Sequence, residues 1–195
     1  MALPAGYSIR ELSKDEFSRL WDDHAAGIFD DNSQIFRSLS VLDDAEKAKL
    51  VSLRTNLGAP YQLRLGVFNG PDFAGWAIGE QESNDTFYMR NSAILPNHRR
   101  KGLYSALIKL VVATVTEMGF QKVYSRHNAT NNDVIIPKLK AGFFISSLEV
   151  SDAFGVLVHL VYFPKEIRRR IQIYRVGDIK PDADIRRLLA IESKT

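Results

Sequence analysis

The spacing of apolar residues changes along the chain, and each change marks an element. Residues 7–12 form a short strand candidate. Ser13-Lys14-Asp15-Glu16 then has the form of a capping box, with Ser13 as N-cap and Glu16 reaching back. Phe17, Leu20, Trp21 and His24 follow at helical spacing, which predicts a helix over 13–25. Residues 27–40 are less regular. Asp43-Asp44 open a second predicted helix, 45–57, whose acidic start suits the positive end of a helix dipole, and Gly58-Ala59-Pro60 ends it. From Tyr61 the period becomes two, giving strands over 61–68, 73–82 and 86–95 with turns at 69–72 and 83–85, an antiparallel meander. A helix follows, with Leu103, Leu107, Leu110, Val111, Val115 and Met118 on one face and Gly119 as its C-cap. Residues 122–126 make a parallel strand reached through that helix. A helix over 134–140 stops at Gly142, and strands 143–150 and 156–163 close the pattern as a hairpin. The tail carries helical candidates at 165–174 and 182–191 and is locally basic through Arg168-Arg169-Arg170 and Arg186-Arg187.

The fold class expected is α/β (α+β): a mixed, mostly antiparallel sheet flanked by helices, with a main domain over 1–163 and a basic helical extension over 164–195. Composition adds limits. The 45% hydrophobic and 25% charged fractions are ordinary for a globular chain. The longest apolar run is broken by Lys109, so a membrane span is not expected. The first residues have no basic stretch followed by an apolar core, and with no cysteine in the chain the expected setting is cytoplasmic. Without cysteine there is no disulfide, thiolate ligand or thiol nucleophile. His24, His98, His127 and His159 are scattered without ligand spacing, so no metal is expected. The net charge of +3 is too mild to argue for nucleic acid. Gly-x-x-x-x-Gly-Lys-Ser/Thr, Gly-x-Gly-x-x-Gly and Gly-x-Ser-x-Gly sequences do not occur.

One stretch, 87–118, combines a strand, a basic turn and an amphipathic helix. It places Arg99, Arg100, Lys101 and Gly102 where the helix begins. A helix start offers unpaired N–H groups and the positive dipole end, and glycine lets an anion come close. A phosphate-bearing ligand is the direct implication.

Arg99-Arg100-Lys101-Gly102-Leu103-Tyr104, behind Ile94-Leu95-Pro96, resembles the Arg/Gln-x-x-Gly-x-Gly/Ala signature of the GNAT superfamily of N-acetyltransferases. The order of elements over roughly 7–163 resembles that fold as well. Tyr104 departs from the pattern, standing where Gly or Ala is preferred. The resemblance implies acetyl-CoA as co-substrate. Its pyrophosphate would meet the amides of Arg100, Lys101, Gly102, Leu103, Tyr104 and Ser105, with Arg99 and Arg100 as supporting charge. Its pantetheine arm would lie along the main chain of Ser92, Ala93, Ile94 and Leu95, where the fourth strand parts from the fifth. Asn131, before Gly142-Phe143, would bond the pantetheine or serve as a helix N-cap.

A second departure falls at Lys138, where the family places a tyrosine that protonates the departing thiolate. Lys138 is open to two readings, a thiolate-stabilising or acidic group and a solvated lysine. Tyr104 and Tyr88 are further acids. Candidates for a general base are Glu80 and Glu82, which share parity, together with Tyr88, Ser92 and His127. The expected activity is acetyl transfer to a primary amine of a small molecule or peptide, with a non-catalytic coenzyme A-binding module as the alternative. Trp21, Phe29, Asp30, Asp31 and Phe36 would line the acceptor end. No nucleic acid or membrane partner is expected, and the tail suggests a homodimer.

Overall fold

The computed structural model describes residues 3–28, 42–54 and 57–191. Strand β1 (Tyr7–Glu11) leads into helix α1 (Lys14–Ile28) and helix α2 (Asp44–Arg54). Strands β2 (Gln62–Asn69), β3 (Asp72–Gln81) and β4 (Thr86–Ile94) form the meander. A single 3-10 turn at Pro96–His98 precedes α3 (Leu103–Glu117). Then come β5 (Lys122–Asn128), α4 (Asn132–Lys140), β6 (Phe144–Ser151), β7 (Gly155–Tyr162), α5 (Glu166–Arg175) and α6 (Ala183–Leu188). The seven strands form one sheet in the order β1-β2-β3-β4-β5-β7-β6, antiparallel except for β4 and β5.

The helix starts show how local chemistry chose between partners. Ser13 Oγ accepts from the Glu16 N–H at 3.2 Å, which is half of the expected box. The Glu16 carboxylate does not reach back; it pairs with Arg10, whose guanidinium outcompetes a neutral amide. The complete box is at α2, where Asp43 and Glu46 exchange bonds of 2.8 and 2.9 Å between each side chain and the other's N–H. The expectation for α3 also changes. Leu103, Leu107, Val111 and Val115 are buried with Ala106 and Ile108, but Leu110 and Met118 are exposed, because the buried row follows the i, i+4 progression and Met118 is already the C-cap.

Two cores sandwich the sheet. On one side α3 and α4 cover Leu63, Leu65, Val67, Phe87, Met89, Ile94, Val123 and Leu160. On the other, α1 lays Phe17, Leu20 and Trp21 on Trp76 and Ala93. Fully burying side chains of this size contributes about 1.5–3 kcal/mol each. Trp21, half-buried, sits edge-on to Trp76 at 5.4 Å and packs against that core. Phe29, Asp30, Asp31 and Phe36 lie outside the described residues.

Strand β4 lines both cores by alternation, and a bulge switches which parity faces which. Ile78 pairs with Asn91 but Glu80 with Tyr88, so Met89 and Arg90 together oppose Gly79. Before the bulge Phe87 and Met89 face the α3 core; after it Ile94 does, while Ala93 joins the α1 core. Gly79 permits this. A Cβ there would stand 2.4 Å from the Phe87 ring and 2.7 Å from the Tyr88 carbonyl oxygen.

The tail arginines are spent on the protein itself. Arg168 donates to the Gln121 carbonyl at 2.8 Å, Arg169 to the Phe163 carbonyl at 2.9 Å, and Arg170 pairs with Asp182 and Asp184. Ile185 of α6 is fully buried. The basic run is thus a clamp rather than a free cationic patch. Among the described residues no helix is long and apolar enough to cross a membrane, and no group of three or more His, Cys, Asp or Glu could hold a metal.

Candidate active site

The parallel pairing of β4 with β5 lasts three rungs: Thr86 with Lys122, Phe87 with Val123, and Tyr88 with Tyr124. Beyond Tyr88 the strands part, β4 continuing to Ile94 beside β3 while β5 follows β7. The result is a notch with an open strand edge on the β4 side. Two groups near its far end are already engaged: the Ile94 carbonyl accepts from Arg99 Nε at 2.9 Å, and the Leu95 N–H donates to Ala74 at 2.9 Å.

Past that end lies the mouth of α3. Its N-cap is Gly102, at φ 79°, which has no side chain to cap the first turn. Arg100 is also left-handed, at φ 60°. Two left-handed residues bracketing Lys101 turn successive amides toward one point, an arrangement that suits an anion. The three cations differ from expectation. Arg99 holds the Ile94 carbonyl, and Lys101 donates to the Tyr7 hydroxyl at 2.9 Å, which also bonds His98 Nδ1 at 2.9 Å. Only Arg100 of the three has no side-chain partner among the described residues. Tyr104 turns inward: its hydroxyl accepts from Ser92 Oγ at 3.3 Å, and burial pushes its pKa up to about 12. The larger side chain therefore docks α3 on β4 instead of filling the mouth, and it stays a protonated phenol.

The notch has two walls. On the α3–α4 side stand Met89, Ser125, His127, Lys138 and Phe143. Lys138 is 0% exposed, which excludes the solvated reading. Its Nζ donates to Met89 Sδ at 3.5 Å and lies 5.2 Å from the centre of the Phe143 ring. Among the described residues no carboxylate pairs with it, and burial lowers its pKa to about 7. His127 bonds Ser125 Oγ at 2.9 Å, and burial together with the Lys138 charge lowers it to about 3. A histidine so shifted is a neutral hydrogen-bonding group and a poor proton acceptor. Asn131 occupies the N-cap position of α4, yet its side chain makes no capping bond.

The opposite wall is open. Tyr88 and Tyr124 stack with ring centres 4.8 Å apart, and Arg126 lies over Tyr88 while donating to its hydroxyl. Arg126 also pairs with Glu149, which takes His159 as well; those bonds, the His159 one foremost, hold the Glu149 carboxyl below its usual range. Tyr124 donates to Glu82, and burial first, then that bond, pushes its pKa up. Glu80 pairs with Arg90 at 3.8 Å and accepts from Gln62 at 3.4 Å. A cleft of about 910 Å³ opens here, lined by Glu80, Glu82, Tyr88 and Arg90 and by Gly58–Pro60 beyond α2. Glu80 and Glu82 thus share one face, as their parity implied. Sequence reasoning passed over Tyr124, Arg126, Ser125 and Glu149. The same-parity run Tyr124, Arg126 on β5 was the available signal.

The sequence matches the family model described as "Acetyltransferase (GNAT) family" over residues 7–143. No curated protein sequence matches the chain significantly. Among solved structures, the ribosomal-protein-S18-alanine N-acetyltransferase of Escherichia coli aligns with a TM-score of 0.56 at 16% identity, covering 80% of this chain and 93% of that one. The Salmonella typhimurium protein yncA, solved with its cofactor acetyl-CoA, gives 0.59 at 16% identity over 83% and 95%. The spermidine N-acetyltransferase of Vibrio cholerae, in complex with CoA and spermine, gives 0.57 at 13% identity over 82% and 96%. At these identities the likeness is one of fold.

Proposed function

The chain belongs to the acetyltransferase (GNAT) family, and on that premise we propose that it moves an acetyl group from acetyl-CoA to a primary amine of a small molecule or peptide by direct attack. The parting of β4 from β5 beside an uncapped helix mouth carries this reading. An extended, amide-bearing arm adds to an open strand edge through main-chain bonds, and a pyrophosphate suits a helix N-terminus. Both features fall within 89–105, in that order. Ser92 and Ala93 would hold the arm, since the main chain of Leu95 is taken by Ala74 and His98 and the Ile94 carbonyl by Arg99; the amides of Arg100 to Ser105 would hold the pyrophosphate, and the Asn131 side chain, which makes no capping bond, the pantetheine. Arg100, without a side-chain partner among the described residues, supplies a cation.

Acetyl-CoA brings an activated carbonyl and a thiol leaving group; the remaining work falls to the chain. The acceptor enters from the open wall, since the α3–α4 side is filled by core. An amine attacks only when neutral, so a group on that wall must take its proton. Glu80 fits best. It stands opposite Tyr88 on the last rung before the notch, and its two protein contacts are long. Glu82 and Tyr88 are already committed to Tyr124 and Arg126, and act by orienting that rung. Lys138, the buried cation beside Met89, is the candidate to meet the charge that develops on the departing sulfur. Two carboxylates in the cleft favour an acceptor with more than one cation, in keeping with the spermine held by the Vibrio cholerae neighbour.

Calorimetric titration with acetyl-CoA, followed by thiol-release assays across mono- and polyamines and peptides, tests the reading. Binding with release of free thiol on adding an amine is expected. Absence of acetyl-CoA binding would overturn it, and binding without turnover across the whole panel would replace it with a coenzyme A-binding module.

A further inference from the structure

The sheet has two edges, and they are guarded differently. β1, at one end, is five residues long and carries Arg10 and Glu11. Short, charged strands resist pairing with another chain. β6, at the other end, has eight residues and a single charge, Glu149, held on the open wall by Arg126 and His159. A bulge at Ser146 disturbs only its start, so 147–151 run regularly, with an outer edge unpaired among the described residues. The other face of this hairpin is apolar. Ile145, Leu148 and Val150 share a side with Val156, Val158 and Leu160 across the register. Val158 and Leu160 are core, but the strip outlasts its cover. Leu148 is 70% exposed and Val150 87%, and Ile145, Val156 and Phe154 of the turn are each about half exposed. Helix α4 borders the strip. It packs on β7, and Ala141 at its end shares a groove with Val112 and Thr116 of α3. Ile136 and Leu139, both exposed, stand about half a turn round from Ala141 and so face the β6 side.

We propose that β6 is the interface for a second copy of this chain, the two strands pairing antiparallel about a twofold axis. Such a pair is self-complementary, so one surface serves both copies and the assembly closes at two. Pairing satisfies the open backbone edge and lays the two apolar strips side by side. The two β7 strands then stand about 14 Å apart, three strand spacings, and helices about 10–12 Å across lying over them meet above the joined strip. Ile136 and Leu139 of each copy close it from water. At their exposures these seven side chains present roughly 700 Å² per copy. That exceeds the roughly 300–600 Å² patch of an ordinary monomer and approaches the ~800 Å² that each partner of a stable complex buries. The strip itself carries no charge to repel its like. The tail, whose arginines are engaged within their own chain, is not the contact. The pairing stands whether or not the chain moves acetyl groups.

Sedimentation of the full chain over a concentration series tests this. The 22.0 kDa chain should sediment as a dimer. The double variant Leu148→Lys, Val150→Lys should raise the dissociation constant by about a hundredfold or more, while its circular dichroism matches that of the wild type. Leu188→Lys, which changes an exposed apolar side chain on α6, should leave the dimer intact. Hydrogen exchange on the wild type decides the matter without any variant: amides of 147–151 should gain protection as concentration rises, and those of α5 and α6 should not. A wild type that is monomeric throughout the series overturns the proposal. So does an assembly of any size that the folded double variant leaves intact, or protection gained in the tail and not in β6.

Discussion

The two walls of the notch contain similar chemical groups under opposite regimes. On the open wall, charges are paired and wet: Glu80 with Arg90, Arg126 with Glu149 and His159. On the closed wall the titratable groups, Lys138 and His127, are stripped of water and pushed toward neutrality. Partners hold a group in its ordinary charge state, and burial takes it out of that state. The proposed transfer between an amine and a thioester would call on both kinds, a solvated carboxylate to receive a proton and a buried group whose charge state responds to what forms beside it.

The largest expected effect comes from the closed wall. Lys138→Met should lower kcat by about 10²–10³-fold, as removal of a group that stabilises developing charge does, while the melting temperature holds or rises. Steady-state kinetics beside differential scanning calorimetry would check it, and a fall in both measurements would reduce Lys138 to a structural part. Next is the bulge that divides the walls. Gly79→Ala forces a methyl against the Phe87 ring and the Tyr88 carbonyl, and should cost about 2–3 kcal/mol in urea unfolding. A smaller change would mean that the bulge slides at little cost.

Glu80→Gln probes the open wall. A fall in kcat of about ten- to hundredfold, recovered in part at higher pH where more acceptor is already neutral, marks a proton acceptor. A rise in KM for the amine alone would instead make Glu80 a binding residue. The smallest effect is on stability against pH. Because the folded pKa of Lys138, about 7, lies below its unfolded value, the unfolded chain binds more protons between about pH 7 and 10.5. Lys138 therefore opposes folding in full below pH 7, and the penalty disappears as pH rises through that window. Chemical denaturation at pH 7 and 9.5 should show the wild type gaining stability relative to Lys138→Met, and parallel curves would contradict the shift.

Much of this was legible in the sequence, since period-two and helical spacing report burial directly. The order of elements and the turn at Gly102 follow from it, while the parting of the fourth strand from the fifth was implied only by the family resemblance. The walls were not legible. Whether Lys138 is solvated depends on β4, β5 and Phe143 meeting around it, which the nine residues of its own helix cannot show. The Arg126–Glu149–His159 group joins β5, β6 and β7 in an order that differs from the order of the chain. The bulge also escaped notice: Phe87-Tyr88-Met89 alternates normally, and the shift appears only against the register of β3. Tyr104 looked like a flaw in the motif because a sequence gives a residue's size and not its direction.

The three rungs between β4 and β5 have a mechanical meaning too. Beside the eight residue pairs joining β2 to β3, they make the thinnest seam in the sheet. A molecule stretched across its strands would tear there first, at the place where the coenzyme arm is expected to lie. A bound arm would then act as a suture, bridging the seam with its own amides. The force needed to open the protein would become a gauge of whether its substrate is in place.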